Sequence, residues 1–183
     1  MLEWIAFIFG VAQVLLALKN KTINFYAGII SVCIYSFVFY QAGLFAESIL
    51  NIYYFFTSIM GIFYWQQKEN THPISFSTKK DYTIALFYFF ILFIILTWIL
   101  KKYTTSTVPY LDATVTSIAW VGTWLMIKRK VENWIILNIS NAIAIPLQIY
   151  KGLELTSLLT CIYFVIAIKA YFHWKGIATK NKS

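Results

Sequence analysis

Residues 128–174 read KRKVENWIILNISNAIAIPLQIYKGLELTSLLTCIYFVIAIKAYFHW, and residues 19–65 read KNKTINFYAGIISVCIYSFVFYQAGLFAESILNIYYFFTSIMGIFYW. Laid over each other at an offset of 109, without a gap, they agree at 15 of 47 positions. Apolar composition inflates such a score. It does not explain the pairs Lys19/Lys128, Lys21/Lys130, Asn24/Asn133, Ser31/Ser140, Gly43/Gly152, Ser48/Ser157 and Trp65/Trp174. Extended backward, the match pairs the first apolar run with the fifth, and Glu3 with Asp112, more weakly. One unit of three helices therefore occurs twice.

Composition says where those helices lie. Of 183 residues, 60% are hydrophobic and 12% charged, with a mean hydropathy of +0.70 and a net charge of +8. Soluble domains carry about 25% charged residues. An ordinary cytosolic enzyme and a disordered tail are both excluded. The bases sit between apolar blocks rather than in one patch, which argues against a nucleic-acid partner.

A membrane helix needs roughly 20 mostly apolar residues. Seven runs qualify: Leu2–Leu18, Ile23–Tyr40, Phe45–Trp65, Tyr82–Leu100, Leu111–Ile127, Trp134–Tyr150 and Leu153–Trp174. They are continuous rather than alternating, so helices are expected and barrel strands are not. The first lacks a basic leader and a small-residue cleavage site, and reads as a retained helix rather than a signal peptide. Cys33 and Cys161 lie inside spans two and seven, as small apolar filler rather than a disulfide or metal pair.

Four helices separate equivalent positions of the two units. An even number leaves them facing the same way, related by an axis along the membrane normal. Three helices are odd, so span four must restore the orientation. Residues 83–100 hold no Gly, Asn, Gln or charge, as expected of a lipid-facing linker. The expected fold is all-α, with parallel triple-helix repeats in a three-plus-one-plus-three plan. Its divisions are residues 1–65 for the first repeat, 66–110 for a loop and linker helix (82–100), 111–174 for the second repeat, and 175–183 for a cytoplasmic tail. Parallel repeats are a transporter plan, with substrate held between them.

Loops assigned to alternating sides carry 12 bases on the side of the C-terminus and 3 on the other, namely Lys101, Lys102 and Lys151. The positive-inside rule then places the C-terminus in the cytoplasm and the N-terminus outside. The outer side also carries Glu3, Glu47, Asp112 and Glu154, for a net charge of −1, which suits a cationic substrate as well as it suits plain interfacial charge.

Span six carries the chemistry. Trp134, Asn138, Asn141, Ile145 and Gln148 fall at i, i+4, i+7, i+11 and i+14, on one helical face. Carboxamides in hydrocarbon need partners or a hydrated cavity, and they suit a ligand bearing hydroxyls and an amide. Interhelical hydrogen bonding is the competing use of such residues. Pro146 frees a backbone carbonyl beside the stripe. Asn51, with Thr57 and Ser58, is the polar feature of span three. Tyr54 and Tyr163 are repeat equivalents, and Trp120 and Trp124 lie four apart on span five; such rings can stack on a flat ring or a cation. With 20% aromatic residues, packing and interfacial belts account for most rings.

No Asp, Glu or His falls near the middle of a span, which argues for passive movement over proton coupling. His72 and His173 read as loop and interfacial groups. No metal cluster, nucleotide loop or catalytic triad is present, so neither an enzyme nor a cofactor is expected.

Residues 129–174, and FVFYQAGLFAESILNIYYFFTSIMGIFYW in the first unit, resemble the PnuC family of vitamin transporters over nearly the whole chain. The basic–Val–Glu–Asn–Trp entry to span six is the most specific part of the likeness. The resemblance implies a small bacterial inner-membrane protein, similar in plan to the SWEET sugar transporters. It implies facilitated diffusion of nicotinamide riboside, trapping by cytoplasmic phosphorylation, and a place in NAD biosynthesis. Related members carry thiamine or riboflavin. The family's span-six signature is Trp, a second Trp three residues on, then Asn or Asp four further. Trp134 and Asn141 match its ends; Leu137 stands in the middle. That substitution removes a stacking wall and leaves thiamine as the alternative substrate. A non-transporting sensor or assembly partner is the alternative of another class. The expected partners are a small vitamin and the lipid bilayer; a homo-oligomer is neither required nor excluded.

Overall fold

The computed structural model describes residues 2–41, 45–66, 73–104 and 106–181. Gly43, Leu44, Lys68, Glu69, His72 and Lys182 lie outside the described residues, as does the side chain of Glu47. The elements are α1 (Leu2–Leu18), α2 (Ile23–Gln41), α3 (Phe45–Gln66), α4 (Lys79–Tyr103), α5 (Pro109–Ile127), α6 (Asn133–Tyr150) and α7 (Glu154–Lys180). Among the described residues there is no strand, only an isolated bridge between Ser75 and Lys130.

Local chemistry sets several helix ends. Thr78 and Asp81 form a reciprocal capping box at the start of α4. Pro109 occupies the first turn of α5, where its missing N–H costs nothing. Several boundaries differ from the sequence expectation: α4 runs Lys79–Tyr103 rather than Tyr82–Leu100, α5 begins at Pro109 rather than Leu111, and the largest difference is at the end of α7. Helix α7 does not stop at Trp174 but runs on to Lys180. Ala170, Trp174 and Ala178 recur every fourth residue, are all buried in one cluster, and carry the helix past the membrane segment. Asn181, just beyond, donates its Nδ2 hydrogen to the Ile74 carbonyl at 3.1 Å.

The two three-helix units are built alike. In each, the central helix (α2 or α6) packs on both of its neighbours. The units meet reciprocally, α1 on α7 and α3 on α5. Buried hydrogen bonds repeat at the offset of 109. Ser31 Oγ donates to the Ala6 carbonyl and Ser140 Oγ to the Val115 carbonyl, both at 2.8 Å. Ser48 Oγ donates to the Ser36 carbonyl at 2.9 Å, and Ser157 Oγ to the Ile145 carbonyl at 3.3 Å. Asn24 and Asn133 each donate to the carbonyl three residues back, Lys21 and Lys130. Asn20 and Arg129 both turn the chain with φ of 53°. The units are then cross-tied. Trp65 Nε1 of the first donates to Ile127 of the second, and Trp174 Nε1 of the second to Leu18 of the first, each at 2.9 Å.

Helix α4 stands apart, packed chiefly on α5. Its outer face shows Leu86, Phe87, Phe90, Ile94 and Trp98 to the surroundings. An apolar surface of that extent belongs in lipid. By length and composition, α2, α4 and α7 can cross a membrane, and α1 is apolar but only 17 residues long. Helices α3, α5 and α6 bring carboxamides and hydroxyls to the interior cavity, among them Asn51, Thr116, Asn141 and Gln148.

Candidate functional site

A cavity of about 350 Å³ lies between the two units, within the usual size range of small-molecule sites. Among the described residues, α1, α2, α3, α5, α6 and α7 line it, with Leu100 alone from α4. At the end nearest the basic loops stands a buried aromatic cluster. Phe25 meets Trp65 edge-on at 4.9 Å, and their repeat equivalents Trp134 and Trp174 meet edge-on at 5.5 Å. Trp65 and Trp174 join the two halves at 6.0 Å.

Trp134, Asn141, Gln148, Asn51, Tyr54 and Tyr163 all line this cavity. The remaining three candidates lie elsewhere. Trp120 is stacked on Tyr53 at 3.6 Å, and Trp124 sits near Tyr88 with the Lys128 ammonium 4.2 Å over its ring. Asn138 is half-buried beside the cavity face, its Oδ1 buried without a hydrogen-bond partner among the described residues. The cavity face of α6 is Trp134, Leu137, Ser140, Asn141, Ala144, Leu147 and Gln148. It is the expected stripe turned by one residue, with Leu137 and Ala144 where Asn138 and Ile145 were expected. Contacts on α5 set that turn. A Cβ on Gly122 would stand 2.7 Å from Leu137 Cγ, so the glycine lets α6 approach with Leu137 against α5.

The polar groups of the cavity divide into two kinds. Several hydroxyls are satisfied by helix carbonyls: Thr57 and Ser58 donate to Tyr54, Thr123 to Ala119 and Thr160 to Thr156 within their own helices, and Ser31 and Ser140 donate across to α1 and α5. Trp134 Nε1, Gln148 Oε1 and the Tyr35 hydroxyl are buried with no hydrogen-bond partner among the described residues. Each such group costs about 1–3 kcal/mol, and a ligand that pairs with them recovers it.

Two residues that the sequence reading left at the interface also line the cavity. Lys151 Nζ lies 2.8 Å and 2.9 Å from the two carboxylate oxygens of Asp112, and Ser106 Oγ donates to that carboxylate at 2.6 Å. Asp112 is buried. The pair joins the first turn of α5 to the end of α6, at the end of the cavity away from the aromatic cluster. The signal was available: antiparallel neighbours joined by a short turn bring the start of one helix to the end of the next. Gln13, which packs on Gly28, is a further cavity residue missed for want of a polar neighbour on its helix.

Two parallel three-helix units around one central cavity, with a lipid-facing linker outside, define a small multi-pass membrane transporter. The family described as nicotinamide mononucleotide transporter matches residues 1–176. The chain belongs to that family. It is 24% identical over 213 residues to the nicotinamide riboside transporter PnuC of Escherichia coli strain K12, covering 100% of this chain and 89% of that one. The likeness to the protein of the same name from Shigella flexneri has the same extent. The fold matches the crystal structure of the vitamin B3 transporter PnuC with a TM-score of 0.83, at 21% identity, over 98% of this chain and 82% of that one.

Proposed function

We propose that this protein moves nicotinamide riboside across the bacterial inner membrane by facilitated diffusion, and that phosphorylation in the cytoplasm traps the cargo. The observation that carries the reading is the unpaired polar set in the cavity. Trp134, Tyr35 and Gln148 offer buried hydrogen-bonding atoms, with Asn141 and Asn51 beside them. A flat cationic ring bearing a carboxamide and a ribose offers the complementary groups: a face for the aromatic rings, an amide for the carboxamides, and hydroxyls for the rest. The relatives named as nicotinamide riboside transporters support the same choice. Passive movement is supported by the charges lining the cavity. Among the described residues these are Asp112 and Lys151, already paired with each other at one end rather than poised at its middle. The excess of bases in the loops supports a cytoplasmic C-terminus and an outer N-terminus.

Thiamine is the second reading, favoured by Leu137, which offers the cavity an aliphatic wall where the family signature has an indole. Counterflow into proteoliposomes decides between them. Labelled riboside should enter with an ionophore present, at a rate unchanged by collapsing proton or sodium gradients. Uptake abolished by the ionophore refutes the passive reading. Thiamine uptake without riboside uptake selects the alternative substrate, and uptake of neither favours a non-transporting sensor.

A further inference from the structure

Among the described residues that line the cavity, Asp112 and Lys151 are the charged ones. They face each other with both carboxylate oxygens engaged. We propose that this ion pair is the charge filter of the site: by neutralising Lys151, Asp112 keeps the cavity from holding the phosphorylated form of its cargo. The proposal rests on the riboside reading and adds a residue-level basis for choosing nucleoside over nucleotide.

Charge balance separates the two ligands. The riboside is a monocation, which aromatic faces and amides can hold without a counter-ion. Its 5′-phosphate adds a group that carries close to two negative charges at neutral pH. A phosphate in a partly buried site needs a cation or several convergent N–H donors. Lys151 has a phosphate binder's chemistry and lines the cavity, but its ammonium is bidentate on Asp112. To take the phosphate it would have to leave a buried carboxylate uncompensated, which is costly. The Ser106 hydroxyl, which also donates to Asp112, steadies the carboxylate in that position. The first unit has no counterpart. The repeat equivalent of Asp112 is Glu3, and Glu3 is exposed. The filter therefore stands at one corner of the cavity, between α5 and α6.

The test is a comparison of nicotinamide riboside and nicotinamide mononucleotide as ligands of the purified full-length protein, by calorimetric titration and by proteoliposome uptake. The parent should bind the riboside and reject the mononucleotide. Asp112→Asn should gain at least roughly tenfold in mononucleotide affinity, the effect of a charge-assisted contact no longer balanced by the carboxylate. Adding Lys151→Gln should abolish that gain. A variant Asp112→Asn that binds riboside but no more mononucleotide than the parent overturns the proposal and leaves the riboside reading standing. So does a gain that persists without Lys151. Should Asp112→Asn fail to fold, Lys151→Gln reads the pair from the other side. It should raise the preference for the cationic riboside over its neutral dihydro form by at least roughly fivefold. An unchanged ratio overturns the proposal. A parent that binds no riboside overturns the parent reading and this one together, and that outcome is visible before any variant is made.

Discussion

The two three-helix units share a scaffold and differ in what they present to the cavity. Ser31 and Ser140, Ser48 and Ser157, Asn24 and Asn133, and Trp65 and Trp174 make equivalent bonds at an offset of 109. At the cavity the equivalence is partial: Ser31 and Ser140, Leu50 and Leu159, and Tyr54 and Tyr163 line it as matched pairs, while the carboxamides are unmatched. Asn141 has Val32 as its counterpart, Gln148 has Phe39, and Asn51 has Thr160. Even close packing is inverted. In the first unit Gln13 of α1 leans on Gly28 of α2, whereas in the second Leu137 of α6 leans on Gly122 of α5, so the large and small partners have changed helices. Bonds that hold helices to helices are kept twice because both units need them. Side chains that meet an asymmetric cargo have no reason to match.

If this division holds, the scaffold can be broken symmetrically and the site cannot. Trp174 is fully buried and Trp65 nearly so, at 0% and 3% exposure. Replacing either with Ala should cost about 3–5 kcal/mol and lower the melting temperature by a similar amount in both variants, read by thermal unfolding in detergent. A large loss at one and none at the other would end the argument for equivalent roles.

The site variants should separate. Asn141→Ala should weaken riboside binding by roughly 5- to 150-fold, the result of about 1–3 kcal/mol for an unpaired polar group. Val32→Ala, at the equivalent position of the first unit, should cost several-fold less. Calorimetric titration of both variants checks this, and equal affinities for Asn141→Ala and the parent would show that Asn141 only ties helices together.

A smaller effect sharpens the scaffold side. Ser31→Ala and Ser140→Ala each remove one side chain-to-backbone hydrogen bond, so each should cost about 1 kcal/mol, with the two losses matched in chemical denaturation. Smallest is the effect of restoring a ring. Leu137→Trp should raise the ratio of riboside to thiamine affinity by roughly two- to twelvefold if stacking is what the aliphatic wall lacks. An unchanged ratio would place the ligand's ring elsewhere.

The fold was legible in the sequence because membrane helices announce themselves twice, by apolar length and by what interrupts it. The repeat added topology, through matches such as Asn24/Asn133 that composition cannot produce. The continuation of α7 past Trp174 was not legible, since the pull on Ala178 comes from tertiary contacts rather than from hydropathy. The site was only partly legible. Polarity alone put Asn138 on the stripe with Asn141, but the rotation of α6 is fixed by the Leu137–Gly122 approach on its neighbour. Asp112 and Lys151 read singly as interfacial charges; their meaning appears only when α5 and α6 lie side by side.

The crossed tryptophan bonds also order events in time. The Leu18 carbonyl receives its indole donor from Trp174, 156 residues later in the chain, while Ile127 receives its own from Trp65, synthesised 62 residues earlier. At about 5–20 residues per second of synthesis, α1 is in place roughly 8 to 30 seconds before the ring that will clasp it. During that interval the first half stands on one finished side only, and it is α7, on emerging, that supplies the missing clasp.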